Sequence, residues 1–440
     1  MSLLKFLQHS YSGAKHPIDF FKKLKKKNVD PFLIYVSPRK TVLISGKETA
    51  VRDFFTIKSI NVRKLDFSEP LELLLGENSF LTSIGKSHLK IKRAFFSTFH
   101  ARDKLEKHDK VISLRVKKHL NDITINSVVN INDMAQKLTL NIIADIIFGA
   151  DDEDGVTQLV PYAQKLINSY TPLVMFFPWL RLPFLPHWQR FKMARERYDN
   201  FFLNKIQKRI DSDSVHGEDL LSSSVTIAEN FDLDLSIDLV SSYLRTFLIA
   251  GHDPTYHSLI WVIYHVFSSE KVKKKLRNEL QGISVDSDLE NLPYLNAVCN
   301  EALRLHPPVP FAARTADKPF TFCGKEIQAG ETVGIATSLL HHDPEYWNNP
   351  GVFDPDRFLN LETINVNYFF PFGGGVKKCL GATMAMYIMR RVLAILVTQY
   401  ELTILNKKIP STKTYGLVVG ATETVKARFA HHSPRKAEKI

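Results

Sequence analysis

The sequence predicts a mainly α-helical chain with a smaller β-rich region, and three observations carry that expectation. Apolar-periodic stretches with helix start and stop signals run over residues 236–268, 293–305 and 382–396. Short strand-like runs bounded by Gly, Pro and Ser fall mainly near residues 30–60, 315–340 and 400–430. An apolar share of 44% in 440 residues supplies a substantial core, and residues 1–440 are expected to form a single domain.

Taken in order, residues 17–29 read as an amphipathic helix. Phe32 to Val36 and Thr41 to Ile44 read as a hairpin broken at Ser37-Pro38-Arg39-Lys40, and a helix follows Gly46. Residues 60–84 mix their signals and read as loop with short helical turns; a helix covers 87–98. Asn132 is placed to cap a helix that Gly149 stops after Phe148, and Asp151 to Asp154 form an acidic loop. Four prolines break up residues 171–188, whose aromatics keep no clear period. That span reads either as an apolar lid able to rest on a membrane surface or as ordinary packing under a loop. Ser236 is placed to cap a helix through Ser268, roughly 50 Å long at 1.5 Å per residue, which must cross the core. Its centre holds Pro254, so a local kink is expected there. Pro319 to Cys323, Glu331 to Ile335 and Tyr415 to Val419 read as strands, and the tail from His431 as frayed.

The net charge is +12, but no long basic tract gathers it. Lys22 to Lys27 and Lys271 to Lys275 are short blocks, readable as solvated helix faces or as a surface for an acidic protein or anionic lipid. No basic and aromatic interleaving points to nucleic acid. Three cysteines, Cys299, Cys323 and Cys379, argue against a disulfide framework and for a reducing compartment. No signal peptide and no run of 18 apolar residues is read, so a cytoplasmic location is expected.

Chemistry concentrates in Phe372-Gly373-Gly374-Gly375-Val376-Lys377-Lys378-Cys379-Leu380-Gly381. Three glycines allow a bend that a Cβ would forbid, and the bend can press on a planar ligand. A cysteine just before a helix faces unpaired N–H groups, which favour the thiolate, a good soft ligand for iron. Gly381 leaves room for a ring. The plain alternative is a turn followed by a half-buried cysteine. Ala250-Gly251-His252-Asp253-Pro254-Thr255 puts the smallest helix surface at the centre of the long helix, and Pro254 frees a carbonyl one turn earlier. The alternative is a core helix kinked for packing. His88 and Lys92, four apart, share a helix face, readable otherwise as an exposed basic helix. Glu301 and Arg304 can pair at i,i+3 before His306-Pro307-Pro308. His341 and His342 are adjacent, a poor arrangement for a two-histidine metal site.

These motifs, in this order, resemble the cytochrome P450 family. Phe372, Gly375, Cys379 and Gly381 match its haem-binding loop, while Lys377 stands where Arg or His is usual. The resemblance implies a P450-like fold and haem b, with Cys379 as the axial thiolate and metal ligand. It implies that His88, Lys92 and Arg314 join Lys377 in holding the haem carboxylates, with Lys92 in place of the usual Arg and Arg93 beside it. A surface arginine is the other reading of Arg314. Ala250, Gly251, Asp253 and Thr255 match the oxygen-binding segment, and Pro254 replaces its first Thr. Asp253 and Thr255 are therefore the catalytic candidates. With no hydroxyl at 254, Thr255, a water or the substrate must relay protons; otherwise peroxide use, isomerisation or dehydration is implied. Glu301, Arg304 and Arg357 are implied as a structural network. The implied activity is a monooxygenase acting on a lipophilic small molecule, with a separate ferredoxin or flavodoxin and reductase as electron source. A non-catalytic haem-binding sensor and a haem-free helical scaffold are the rival readings.

Overall fold

A computed structural model of the chain describes residues 2–431, apart from 37–39, 64, 66–67, 78, 150–151, 172–173, 176, 212–218, 231–236, 361–363 and 416–417. The expected cap at Ser236, Asp151 of the acidic loop, part of 171–188 and the tail beyond His431 lie outside the described residues.

Two helices open the chain, α1 (Ser2–Lys15) and α2 (Pro17–Lys27), followed by the hairpin β1 (Phe32–Tyr35) and β2 (Thr41–Ser45). The hairpin register pairs Phe32 with Ile44 and buries Phe32, Ile34, Val42 and Ile44 on one face. Then come α3 (Glu48–Thr56), the two-residue β3 (Val62–Arg63), α4 (Glu69–Leu75), α5 (Gly85–His100) and α6 (Arg102–Asn121). Strand β4 (Val128–Asn130) runs into α7 (Ile131–Phe148). Asn130, not Asn132, caps α7, accepting from the N–H groups of Asn132 and Asp133. Asn132 instead accepts from the Val425 N–H at 2.9 Å, so a competing tertiary bond displaces the expected cap by two residues. Gly149, at φ 86°, ends the helix as expected.

Asp152 of the expected acidic loop caps α8 (Glu153–Ser169). Helices α9 (Pro186–Asp211) and α10 (Leu220–Asn230) lead to α11 (Ile237–Phe267), against which α7 packs along its length. Trp261, Leu259, Ile260, Val262 and Ile263 of α11 are all buried, so it crosses the core as expected and is helical through Pro254. Helix α12 (Glu270–Leu280) carries the second lysine block. Lys273 there is buried and paired with Glu270 and Glu401, while Lys275 pairs with Asp356 at 2.6 Å. Lys273 is thus tied into the structure, while Lys271, Lys274 and Lys275 stay exposed on the helix face.

After α13 (Pro293–Leu305) come β5 (Ala312–Ala316), β6 (Phe320–Phe322), β7 (Lys325–Ile327) and β8 (Thr332–Ile335), then one turn, α14 (Thr337–Leu340). Helix α15 (Ala382–Gln399) precedes β9 (Tyr400–Ile404), β10 (Thr412–Tyr415), β11 (Val418–Ala421) and β12 (Lys426–His431). Of the region expected as one strand, 415–419, Tyr415 ends β10 and Val418 and Val419 begin β11; the two pair as a hairpin with Tyr415 opposite Val418, and 416–417 lie outside the described residues. The main sheet runs β1-β2-β8-β5-β3, and β4-β12-β9 form a second one. The fold is mainly helical with small sheets, as the sequence predicts. Among the described residues, no helix is long and apolar enough to cross a membrane.

Candidate functional site

The glycine-rich stretch folds back on itself. The Cys379 N–H donates to the Phe372 carbonyl at 2.9 Å, and a single 3-10 turn spans Gly375–Lys377. Gly375 sits at φ 61°, and a Cβ there would lie 2.4 Å from the Phe55 carbonyl oxygen. A Cβ on Gly374 would meet the Phe55 ring at 2.7 Å. These two glycines thus let the loop dock on α3, a role that sequence alone does not reveal. At Gly381, by contrast, a Cβ would meet nothing within 4 Å, so there is open space beside the cysteine.

Cys379 is enclosed by the fold, yet its side chain is accessible. The same is true of Ala250, exposed in the middle of an otherwise buried helix, and of Val309, 45% exposed between buried prolines. Small accessible side chains within buried elements mark an internal cavity. Asp253, one turn after Ala250 on the same face, keeps 24% of its side chain accessible. Gly251 is not on that face: a Cβ there would lie 3.0 Å from Ile143 of α7. Thr255 is buried, five positions on from Ala250. Burial raises the Cys379 thiol above its ordinary range, outweighing the Gly381 N–H, Lys92 and Lys378, which favour the thiolate. The helix-end effect expected from sequence is therefore present but not dominant; a coordinated cation would remove the proton outright.

Four basic side chains gather at this loop. Lys377 turns inward: its Nζ donates to the Ser83 carbonyl, and it lies 3.2 Å from His88 Nδ1. Burial, then the Arg314 and Lys92 cations, push its ammonium down to about 7. Lys92 donates to the carbonyls of Val376 and Lys378, both at 2.8 Å, and so clamps the loop on either side of Lys377. His88 is buried, with Nδ1 2.9 Å from the Phe80 carbonyl and Nε2 without a partner. Burial and Lys377 push it down to about 4. Arg314, on β5, lies over the Phe54 ring at 4.6 Å and reaches the Ile57 carbonyl at 3.5 Å. Burial pushes its guanidinium down to about 10. Among the described residues, no acidic side chain offsets Lys377 or Arg314. Cations gathered and desolvated in this way call for an anionic ligand. An accessible thiol with four basic side chains gathered around its loop fits haem.

Behind the site, Glu301 and Arg304 are fully buried and paired in a fork, at 2.6 and 2.8 Å. Arg357 Nε joins Glu301 at 3.1 Å, completing the expected network. His341 and His342 are both buried but face different partners, the Phe370 N–H and the Ser338 carbonyl. They sit at the end of α14 rather than in extended chain, so the expected reason for their separation does not apply. Among the described residues no cluster of three metal-ligating side chains occurs.

The family model described as Cytochrome P450 matches residues 2–427. A Taurochenodeoxycholic 6 alpha-hydroxylase of Sus scrofa is 36% identical over 178 residues, 39% of this chain and 35% of the pig protein. The match thus spans about a third of that relative's length. Cytochrome P450 137 of Mycobacterium tuberculosis is 27% identical over 337 residues, 76% of this chain and 69% of that protein. The retinoic acid-bound cyanobacterial CYP120A1 superposes with a TM-score of 0.83 at 22% identity, covering 94% of each chain, a likeness of fold. The geometry around Cys379 and the match along nearly the whole sequence lead to one conclusion: the chain belongs to the cytochrome P450 family.

Proposed function

We propose that the protein is a haem-thiolate monooxygenase, one catalytic domain that binds haem b and oxidises a lipophilic small molecule with O2. The observation that carries this reading is the accessible Cys379 thiol beside the cationic group of His88, Lys92, Arg314 and Lys377. Cys379 would ligate the iron, and those four residues would hold the haem carboxylates. When bound, a thiolate-ligated haem supplies oxygen activation, favoured by electron donation from the sulfur. The chain's own residues orient and exclude. Lys92 fixes the loop carbonyls on both sides of Lys377, Ala250 and Val309 border the space for the substrate, and Asp253 offers a carboxyl at its edge.

The overall reaction consumes O2, two electrons and two protons per hydroxylated product and releases water. The electrons would come from a separate ferredoxin or flavodoxin with its reductase. Two similar proteins carry names that mention bulky lipophilic acids, a bile acid and retinoic acid, which supports a substrate of that character. Trp179, Leu182 and Phe184 are 64%, 42% and 71% exposed, and we propose them as the place where a membrane surface would be touched. Pro254, lacking a hydroxyl, favours one second reading, a peroxide-dependent, isomerase or dehydratase enzyme on the same haem.

The test is the spectrum of the reduced carbon monoxide complex. A red-shifted thiolate-type Soret band is expected in the wild type and is lost in Cys379→Ser. A protein that holds no haem, or whose band is of the nitrogen-ligated type, ends the proposal. Turnover of lipophilic acids with a redox pair, set against peroxide alone, then separates the two readings.

A further inference from the structure

Helices α8 and α9 pack side by side, and a cleft of about 330 Å³ opens between them. It takes one continuous face of α9, on which Arg197, Phe201, Lys205 and Lys208 follow at the three- and four-residue spacing of neighbouring turns. The next face of α9 is spent on α11, where the Arg245 guanidinium lies over the Tyr198 ring and pairs with Asp199 at 2.7 Å. The cleft is therefore separate from the Cys379 loop and from the cavity that Ala250 and Val309 border.

Its walls carry one sign of charge. Arg197, Lys205 and Lys208 line it, and no carboxylate does. Lys205, with 19% of its side chain exposed, is offset by Asp152 at 3.0 Å and lies over the Phe148 ring at 5.4 Å. Among the described residues, neither Arg197 nor Lys208 has an acidic partner. Like charges in a cleft with low-dielectric walls concentrate the field there and draw in an anion. Asn200 and Asn204, one turn apart, add amide donors. One side is aromatic: the half-buried Tyr162 ring lies 5.4 Å from the buried Phe201 ring. Cations, amide donors and a ring around a space of this size match an organic phosphate that carries a planar ring.

We propose that the cleft between α8 and α9 is a second ligand site, which binds a free, nucleotide-like organic phosphate, with Arg197 and Lys208 on the phosphates and Tyr162 against the ring. A phospholipid headgroup would bring the same phosphate. Arg197 stands eleven residues along α9 from Pro186, about 16 Å, so the cleft is set back from the exposed Trp179 and Phe184 that precede this helix. That separation favours a soluble ligand. The site needs no haem and stands apart from the monooxygenase reading.

The test is a calorimetric titration of the full chain with metal-free adenosine triphosphate. One site in the micromolar range is expected, weakening as salt is raised. Arg197→Gln combined with Lys208→Gln, both exposed positions outside the core, weakens binding about tenfold or more. Lys23→Gln combined with Lys26→Gln, the same loss of charge on α2, leaves it unchanged. Inorganic tripolyphosphate binds the wild type more weakly than the nucleotide does, and Tyr162→Ala removes that difference, which charge attraction alone would not produce. A nucleotide that does not bind, or that binds the two double variants alike, overturns the proposal. So does affinity shown only for phosphatidylserine vesicles and reduced by the changes at Arg197 and Lys208, which would make the cleft a lipid contact instead.

Discussion

Lys377 departs from the usual Arg or His, and its surroundings show what the departure costs. An arginine keeps its charge wherever it is buried, whereas a lysine ammonium is readily neutralised by desolvation. Here burial and the neighbouring Arg314 and Lys92 bring Lys377 down to about 7, so the free protein carries only part of that charge at neutral pH. An anion bound in the cradle would restore the full charge. Binding of haem is then linked to proton uptake at this residue, and it should weaken as pH rises above about 7. Lys377→Met removes the charge altogether and should speed loss of haem to an excess apo-acceptor about tenfold, the equivalent of about 1.4 kcal/mol. Lys377→Arg should retain haem at least as well as the wild type and lose the pH dependence above neutrality. Equal loss rates for all three proteins would show that Lys377 does not face the haem carboxylates.

Helix α13 carries an interaction that no single element could hold. Glu301 accepts from both arms of Arg304, from Arg357 and from the Asp354 N–H, while Arg304 also reaches the carbonyls of His341, Pro350 and Val352. The network ties α13 to the segment leading to the Cys379 loop. Glu301→Ala leaves Arg304 buried and unpaired, which costs about 3–5 kcal/mol. Urea unfolding should show that loss, and a change within 1 kcal/mol would mean that the carbonyls alone hold Arg304. This helix was also the most legible in the sequence: Pro293 and His306-Pro307 bound it on both sides, and its observed span is the expected one. The hairpin β1–β2, α11 and α15 were legible for the same reason, with clear punctuation around a clear period. Helices α1, α6, α8 and α9 were not, because their faces are polar or mixed and only tertiary packing fixes them. At the site the residue types were legible, from Cys379 to Arg314. Their supports were not: Phe55 behind the glycines, and Thr139 beside His252, come from distant parts of the chain.

The whole molecule buries an unusual number of imidazoles. His252, His257, His265 and His342 are each pushed by burial down to about 3, and His306 and His341 well below the ordinary range. They form part of the core: Trp261 stacks on His306 at 3.6 Å, His265 and His306 share one hydrogen bond at 2.8 Å, and His265 stacks on Phe353. Above pH 6.5 these histidines are neutral in both folded and unfolded chains and make no difference between them. Below it the unfolded chain takes up protons that the folded one refuses, so stability falls as pH falls, by about 1.4 kcal/mol per histidine per pH unit. Asp253, raised to about 7, works in the opposite sense: over the same range the folded state gains stability from it as pH falls. One such carboxyl does not offset six histidines. A folding free energy of roughly 5–15 kcal/mol is used up within about two units of pH 6.5. The haem-loaded protein should therefore unfold near pH 5, with its melting temperature already falling between pH 6.5 and 6. Thermal melts across that range check this, and His265→Phe, which removes one proton acceptor while keeping a ring in the stack, should move the acid midpoint downward. A melting temperature that holds steady to pH 4.5 would mean that these rings reach solvent or gain partners on protonation, contrary to their place in the core.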